Sequence, residues 1–247
     1  MKQFIGDVAF RVARRLGSLR PTTWNSAQAF ELHHAVAFMD QPNFADAVSR
    51  LDQPTSYMSK GYREPGMLRE FFGGDATAYD RFANSIAGRV VLDIGPCVFS
   101  PLSFWDTASH RLIIEPLYDQ VADYQVKTKG QNYFRHIDQA YAIPAERRIP
   151  ELIGKVDGAV LVRNCIDHSP SWPFILSNIA AYMAPGAILL LWNDLLHPPE
   201  YLDGHFDITD DKTIFRQFLE GLGMRIEYEF DIPEQGALNY GCRAVRI

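Results

Sequence analysis

The stretch from Arg89 to Leu102 reads RVVLDIGPCVFSPL, and its reading decides the fold. Val90, Val91, Leu92 and Ile94 form a short, nearly continuous apolar run rich in β-branched residues. Strands buried on both faces, as in the middle of a parallel sheet, carry that pattern. Gly95 and Pro96 end the run abruptly. Ser100-Pro101 then offers a helix start, with serine as N-cap and proline at the first helical position. A buried strand, a tight turn and a helix N-terminus make a corner of the kind that binds nucleotides, because ligands of open α/β sheets lie beyond the carboxyl ends of the strands. A structural strand–turn–helix with no ligand is the alternative at this point.

Downstream of this corner, strand-like and helix-like segments alternate, as they do in a parallel α/β sheet. The second strand is expected over RLIIE, Arg111 to Glu115, with Pro116 opening a helix. Glu115 stands twenty residues after Gly95. An acidic side chain at that strand tip is placed to accept hydrogen bonds from both ribose hydroxyls of an adenosyl ligand. A third strand is expected over Gln131 to Ile137, followed by Asp138 and Gln139, where an adenine amino group would be met. Val156 to Val162 is the fourth strand and Ala187 to Trp192 the fifth. Met224 to Ile232 and Tyr240 to Ile247 read most simply as a late antiparallel pair. Polar residues bunch after the fourth strand (Arg163 to Pro170) and after the fifth (Asn193 to His205), on the same rim as Gly95 and Glu115.

Upstream, residues 22 to 88 read as broken helix, including Asn25 to Phe38, Asn43 to Leu51, Gly66 to Phe72 and Thr77 to Ala87. The division is therefore an N-terminal helical segment over 1–87, acting as a substrate cap, and an α/β domain over 88–247. His33 and His34 are adjacent and point to different helix faces, so they do not serve one metal together. The first twenty residues carry a charge of +4, which leaves −10 for the remainder. Their apolar residues fall at helical spacing, interrupted by Asp7 and Arg11 in a way that a secretory signal is not. Such a basic amphipathic helix either docks on its own domain or touches an anionic membrane surface.

Composition excludes several classes. A chain of 247 residues with 47% hydrophobic residues builds a sizeable core. A net charge of −6 argues against a nucleic-acid partner. Cys97, Cys165 and Cys242 are widely spaced and form no CxxC pair, which fits a reducing cytoplasm and no disulfide framework. The longest purely apolar run is too short to span a bilayer.

Taken together, VVLDIGPCVFSP, the RLIIEPL strand-tip glutamate, NCIDHSP, and MAPGAILLLW followed by a histidine resemble the class I S-adenosylmethionine-dependent methyltransferases. The resemblance covers roughly residues 88 to 247. It implies a Rossmann-like, doubly wound sheet of seven strands, mostly parallel with an antiparallel last strand. It also implies S-adenosyl-L-methionine as cofactor, with Asp93, Gly95, Pro96 and Cys97 holding its methionine part. Glu115, followed by Pro116, would take the ribose hydroxyls, and Asp138, Gln139 and Ala140 would neighbour the adenine. Asn164 would lie near the methionine moiety and His168 near the cofactor. The expected reaction is methyl transfer to a small molecule or a glycan- or lipid-linked acceptor.

One departure stands out: the family's G-x-G-x-G loop is here Gly95-Pro96-Cys97-Val98-Phe99. Glycine's tolerance of positive φ is lost at two of three places. A catalytically inactive binding relative is thus one alternative. An NAD(P)-dependent enzyme is a weaker one, because its G-x-G-x-x-G would need glycines at 97 and 100. His197 is the first candidate for a general base, with Asp194, His205 and Tyr201 next. Asp194, His197, Asp203 and His205 are also readable as metal donors. No pair has the i, i+4 spacing of a helical metal motif, so no metal is expected.

Overall fold

In the computed structural model, which describes residues 24–42, 44, 68–197, 204–232 and 238–247, the apolar runs become one seven-stranded sheet. The strands are β1 (Val90–Ile94), β2 (His110–Ile114), β3 (Gln139–Tyr141), β4 (Ala159–Arg163), β5 (Ile188–Leu196), β6 (Met224–Phe230) and β7 (Leu238–Arg246). Their order is β3-β2-β1-β4-β5-β7-β6. β1 through β5 run parallel, whereas β7 is antiparallel to both β5 and β6. The expected architecture and its antiparallel last strand are therefore present. β1 and β4 lie centrally and are sealed on both faces, which is why their sequences are apolar without alternation.

Helices cover both faces. They are α1 (Trp24–Met39), α2 (Ala76–Ser85), α3 (Tyr118–Lys129), α4 (Trp172–Tyr182) and α5 (Lys212–Gly221). Asp75 and Asp211 cap α2 and α5 by accepting from the N–H groups of Thr77 and Thr213. Gly130 closes α3 in the left-handed conformation. Ala35 and Met39 of α1 share a core with Val91, Ile113 and Trp192 of the sheet, so α1 is built onto the α/β layer. No helix among the described residues is long and apolar enough to cross a membrane. The basic segment 1–20 falls outside the described residues, as does the helix expected over 43–51 apart from Phe44, which is buried in the core.

Two local expectations are corrected. β3 is Gln139–Tyr141, not Gln131 to Ile137. The aromatic pair that suggested a strand, Tyr133 and Phe134, is buried in a loop that plugs the core. Asn132 Oδ1 accepts from Phe134 N–H there, and buried Gln125 accepts from Tyr133 N–H at 2.8 Å. The helix after β1 is likewise only a four-residue 3-10 turn, Pro101–Phe104, although Ser100 caps it as expected.

The turn after β1 keeps its shape with one glycine. Gly95 has φ +64°, and a Cβ there would lie 2.4 Å from that of Cys165. Cys97 adopts φ +59° despite its side chain. Val98 and Phe99 turn into the core, and the Val98 carbonyl accepts from Gln125 Nε2 at 2.6 Å. Core burial and these hydrogen bonds thus hold a backbone path that glycine would otherwise ease. Urea unfolding should find Gly95→Ala destabilised by more than about 2 kcal/mol, from clash and positive φ together. Cys97→Gly should instead be neutral or stabilising by up to about 1–2 kcal/mol, because it relieves left-handed strain. Equal losses in both variants would contradict this account of the turn.

Candidate functional site

Two polar clusters lie at the carboxyl ends of the central strands. The first is the corner between β1 and β2. Glu115 follows β2 directly and is only 4% exposed. Its Oε2 accepts from Cys97 N–H at 3.0 Å and its Oε1 from Leu117 N–H at 2.9 Å. One carboxylate therefore ties the β1 turn to the start of α3. Burial pushes its pKa up, the two N–H donors pull it down, and the result is about 7 against an ordinary 4.5. A carboxylate offers about four lone-pair sites, so this one retains acceptor capacity for further donors such as a vicinal diol.

Asp93 sits behind the turn and is fully enclosed. Its Oδ2 accepts from Ser100 Oγ at 2.6 Å and lies 3.9 Å from Arg163. It thus links Ser100 of the turn to Arg163 at the end of β4. Pro96 is buried beside it and Pro116 half-buried. At the ends of β4 and β5, Asn164 takes a left-handed φ of 46°, and its Oδ1 accepts from Asp194 N–H at 3.0 Å. Asn193, enclosed in β5, accepts from Cys165 N–H and Ile166 N–H, which locks the loop after β4 against β5.

The second cluster was only partly foreseen. His168, His197 and His205 pack side by side as tilted rings, with centroids 4.4 Å (168 to 205) and 4.6 Å (197 to 205) apart. They come from the 3-10 turn Ile166–His168, the end of β5 and the loop that follows. Asp167, which is fully buried, accepts from His197 Nε2 at 2.9 Å. Burial works to raise the Asp167 pKa, yet His168 and His197 together hold it well below the carboxylate range. Burial works to lower the His197 pKa, but Asp167 and Asp207 raise it to about 9. His197 is thus a buried imidazolium with Nε2 already engaged. His205 is half-buried, and Asp194 is buried within β5. Tyr201 lies outside the described residues, as does Asp203.

Glu31, on α1, escaped the sequence reading. It lies 3.4 Å from His168 Nε2, and its charge also reaches Glu115. It therefore stands between the two clusters. Only its helical face could have signalled it, and that face is not distinctive.

Asp138, Gln139 and Ala140 do not join either cluster. Because β3 begins at Gln139 and runs parallel to β2, Asp138 precedes it and Gln139 is its first residue, level with Leu112 and short of the carboxyl end of β2. Asp138 is spent on Arg111, accepting from its backbone N–H at 2.7 Å. The carboxyl end of β3 is Tyr141, whose carbonyl accepts from Glu115 N–H.

With this geometry in view, the comparisons are informative. The N-methyltransferase NodS of Bradyrhizobium japonicum WM9, solved with S-adenosyl-L-homocysteine, superimposes with a TM-score of 0.53. The match covers 90% of this chain and 98% of that one at 13% identity. An S-adenosylmethionine-dependent methyltransferase of Mesorhizobium loti gives 0.50, over 69% of this chain and 98% of that one at 11% identity. The fold is that of the class I methyltransferases. No family model and no curated protein matches the sequence. Within the class I methyltransferase fold, β7 inserted antiparallel between β5 and β6 is the distinguishing element, and here its register with β5 runs from Ile188↔Val245 to Leu196↔Leu238.

Two measurements check this electrostatic description. The folded chain holds the Glu115 proton more tightly than the unfolded chain does, so this group's contribution to stability falls as pH rises. The fall begins near the unfolded value of 4.5 and is complete above about 7. The stability of wild type relative to Glu115→Gln should accordingly drop by about 3 kcal/mol across that window; a flat difference would show an unshifted carboxyl. Asp167→Ala removes the counter-charge of a buried imidazolium and should lower unfolding free energy by roughly 3–5 kcal/mol.

Proposed function

We propose that the protein transfers a methyl group from S-adenosylmethionine to a small-molecule or glycan- or lipid-linked acceptor. The observation that carries this reading is Glu115, a buried carboxylate with spare lone pairs at the tip of β2, clasping the β1 turn. When bound, the cofactor supplies a methyl group already activated on sulfonium, so the protein's work is chiefly proximity and alignment.

On this reading Glu115 receives the ribose hydroxyls, and the turn of Gly95, Pro96 and Cys97 flanks the methionine part. Asp93 acts from behind by fixing Ser100 and Arg163. Asn164 is oriented by its bond to Asp194 N–H and faces the same crevice. Adenine is met at the carboxyl end of β3, around Tyr141 and Ala142, in place of Asp138, Gln139 and Ala140. His168 and His205 line the acceptor side. His197, engaged with Asp167, positions that wall instead of taking up a proton itself. The inactive-relative reading is countered by the turn: its bulky residues Val98 and Phe99 point into the core, away from the crevice.

Thermal shift with S-adenosyl-L-homocysteine tests the proposal. At a hundredfold excess over Kd the ligand adds about 2.7 kcal/mol, or roughly 5–10 °C in a domain of this size. Glu115→Ala should abolish the shift, whereas Asp138→Asn should keep it. Loss of the shift in both variants would contradict the placement of adenine at the carboxyl end of β3. Ribose donors favour the ionised carboxylate, so affinity should weaken as pH falls below about 7, by up to about tenfold per unit.

A further inference from the structure

We infer that Glu31, His168 and His205 form a binding site for a divalent transition-metal ion of the zinc class, joining α1 to the rim of the sheet. Neither the fold nor the methyl-transfer reading calls for such a site, and the inference does not depend on that reading.

The donors suit the ion. One carboxylate and two imidazoles make a mixed N/O set of the kind that holds Zn2+ while leaving a position open. Each offers a ligand atom, and the three atoms all lie within 4.8 Å of one another. Donors about 2.0–2.1 Å from a tetrahedral ion are roughly 3.3–3.4 Å apart. Glu31 Oε1 and His168 Nε2, 3.4 Å apart, already have that spacing. His205, within 4.8 Å of both, needs to draw in by at most about 1.4 Å.

His168 is prepared for ligation by its other nitrogen. Nδ1 lies 3.0 Å from the Gly204 carbonyl, which can only accept, so Nδ1 carries the proton. In the neutral ring Nε2 then presents its lone pair toward Glu31. Metal-bound histidines are characteristically held by such a bond from the second ring nitrogen, which fixes tautomer and orientation. The same carbonyl belongs to the residue preceding His205, so one contact sets two ligands.

Nearby packing keeps the donors in place. Phe206 N–H donates to the Asp167 carbonyl at 2.6 Å, and His197 N–H donates to Asp207 Oδ1 at 3.1 Å. Both fasten the loop that carries His205. Gly204 is pressed on Phe30 of α1, where a Cβ would come within 2.4 Å of the ring. Phe30 in turn meets His205 edge-on at 5.3 Å. Behind the donors lies the Asp167–His197 pair, and Asp167 Oδ1 is buried with no hydrogen-bond partner. The Asp167 carboxylate offsets the charge of the His197 imidazolium, so Glu31 is the negative charge that favours a cation at the histidine wall. Asp167, His197 and His205 form a second set of comparable spacing. Its Asp167–His197 hydrogen bond would have to break before an ion could enter, so the Glu31 set is preferred.

The spacing rule used on the sequence could not find this site, because its donors come from a helix, a 3-10 turn and a loop far apart in the chain. The ordinary alternative is an ion pair between protonated His168 and Glu31, with no metal.

The test uses the full chain, stripped with chelator and titrated with ZnCl2 and with CoCl2. One Zn2+ per chain should bind with micromolar or tighter Kd. Co2+ should develop the visible d–d absorption of a low-coordinate N/O site. Glu31→Gln and His205→Asn should each weaken Zn2+ binding by tenfold or more. Both positions are half-buried, so circular dichroism and cooperative thermal unfolding of each apo variant report whether it has folded. Absence of stoichiometric Zn2+ binding by the wild type overturns the inference and leaves the ion pair. Binding unchanged in both variants overturns it equally, by placing the ion elsewhere. Zn2+ binding without any S-adenosyl-L-homocysteine shift would sink the methyl-transfer reading and leave this site standing.

Discussion

The rim of this sheet depends on one carboxylate in an awkward place. Glu115 is nearly enclosed, and burial alone would keep it protonated. Two backbone N–H groups, from Cys97 and Leu117, partly offset that burial and so hold it near the point of ionisation. The same two bonds join β1's turn to the first residues of α3. Geometry and charge are thus inseparable here: the group that shapes the corner is also the group with acceptor capacity to spare. A glycine-poor turn can follow this path because Glu115, Gln125 and the buried side chains of Val98 and Phe99 each restrain a different part of it.

Much of the fold was legible because buried parallel strands must be apolar on both faces. β1, β4 and β5 announced themselves in that way, and the late pair reads most simply as antiparallel, with β6 alternating buried or half-buried with exposed residues in the structure. β3 did not, for an equally physical reason. It is a three-residue edge strand whose register is set by pairing with β2 rather than by its own burial, while the aromatic residues that mimic a strand belong to the loop before it. With the strand at 139–141 instead of 131–137, Asp138 comes before it and Gln139 opens it, where both were expected to follow it. A shift in a strand's bounds thus moves the residues at its ends even when the topology is right.

The site divides along the same line. Glu115 was legible because its distance from Gly95 is set by one β–turn–β unit, in which chain separation and spatial separation are closely linked. His168, His197 and His205 were each visible as polar residues after a strand, but their packing against one another was not. It depends on how three rim segments converge, and Glu31 adds a fourth from a helix more than 130 residues upstream of His168. Pattern reading recovers donors within one element and is blind to donors gathered from several.

The His197–Asp167 pair clarifies what the histidine wall can do. A base must be free to accept a proton, and an imidazole that Asp167 and Asp207 hold protonated, with a pKa of about 9, has no free lone pair near neutral pH. Its strength lies instead in permanence: the pair sets a fixed charge arrangement beneath two neighbouring rings. His168 is likewise oriented, by the Gly204 carbonyl, with its second nitrogen turned toward α1. A wall of imidazoles held this firmly has few degrees of freedom left for shuttling protons, and many features of a surface prepared to grip something. Since Glu31 is felt by both His168 and Glu115, whatever the wall grips is electrostatically coupled to the β1–β2 corner. A cation beside Glu31 would relieve its repulsion of Glu115 and favour the ionised form of that carboxylate. Occupancy of the two clusters should therefore be mutually reinforcing, because charge alone links them across the rim.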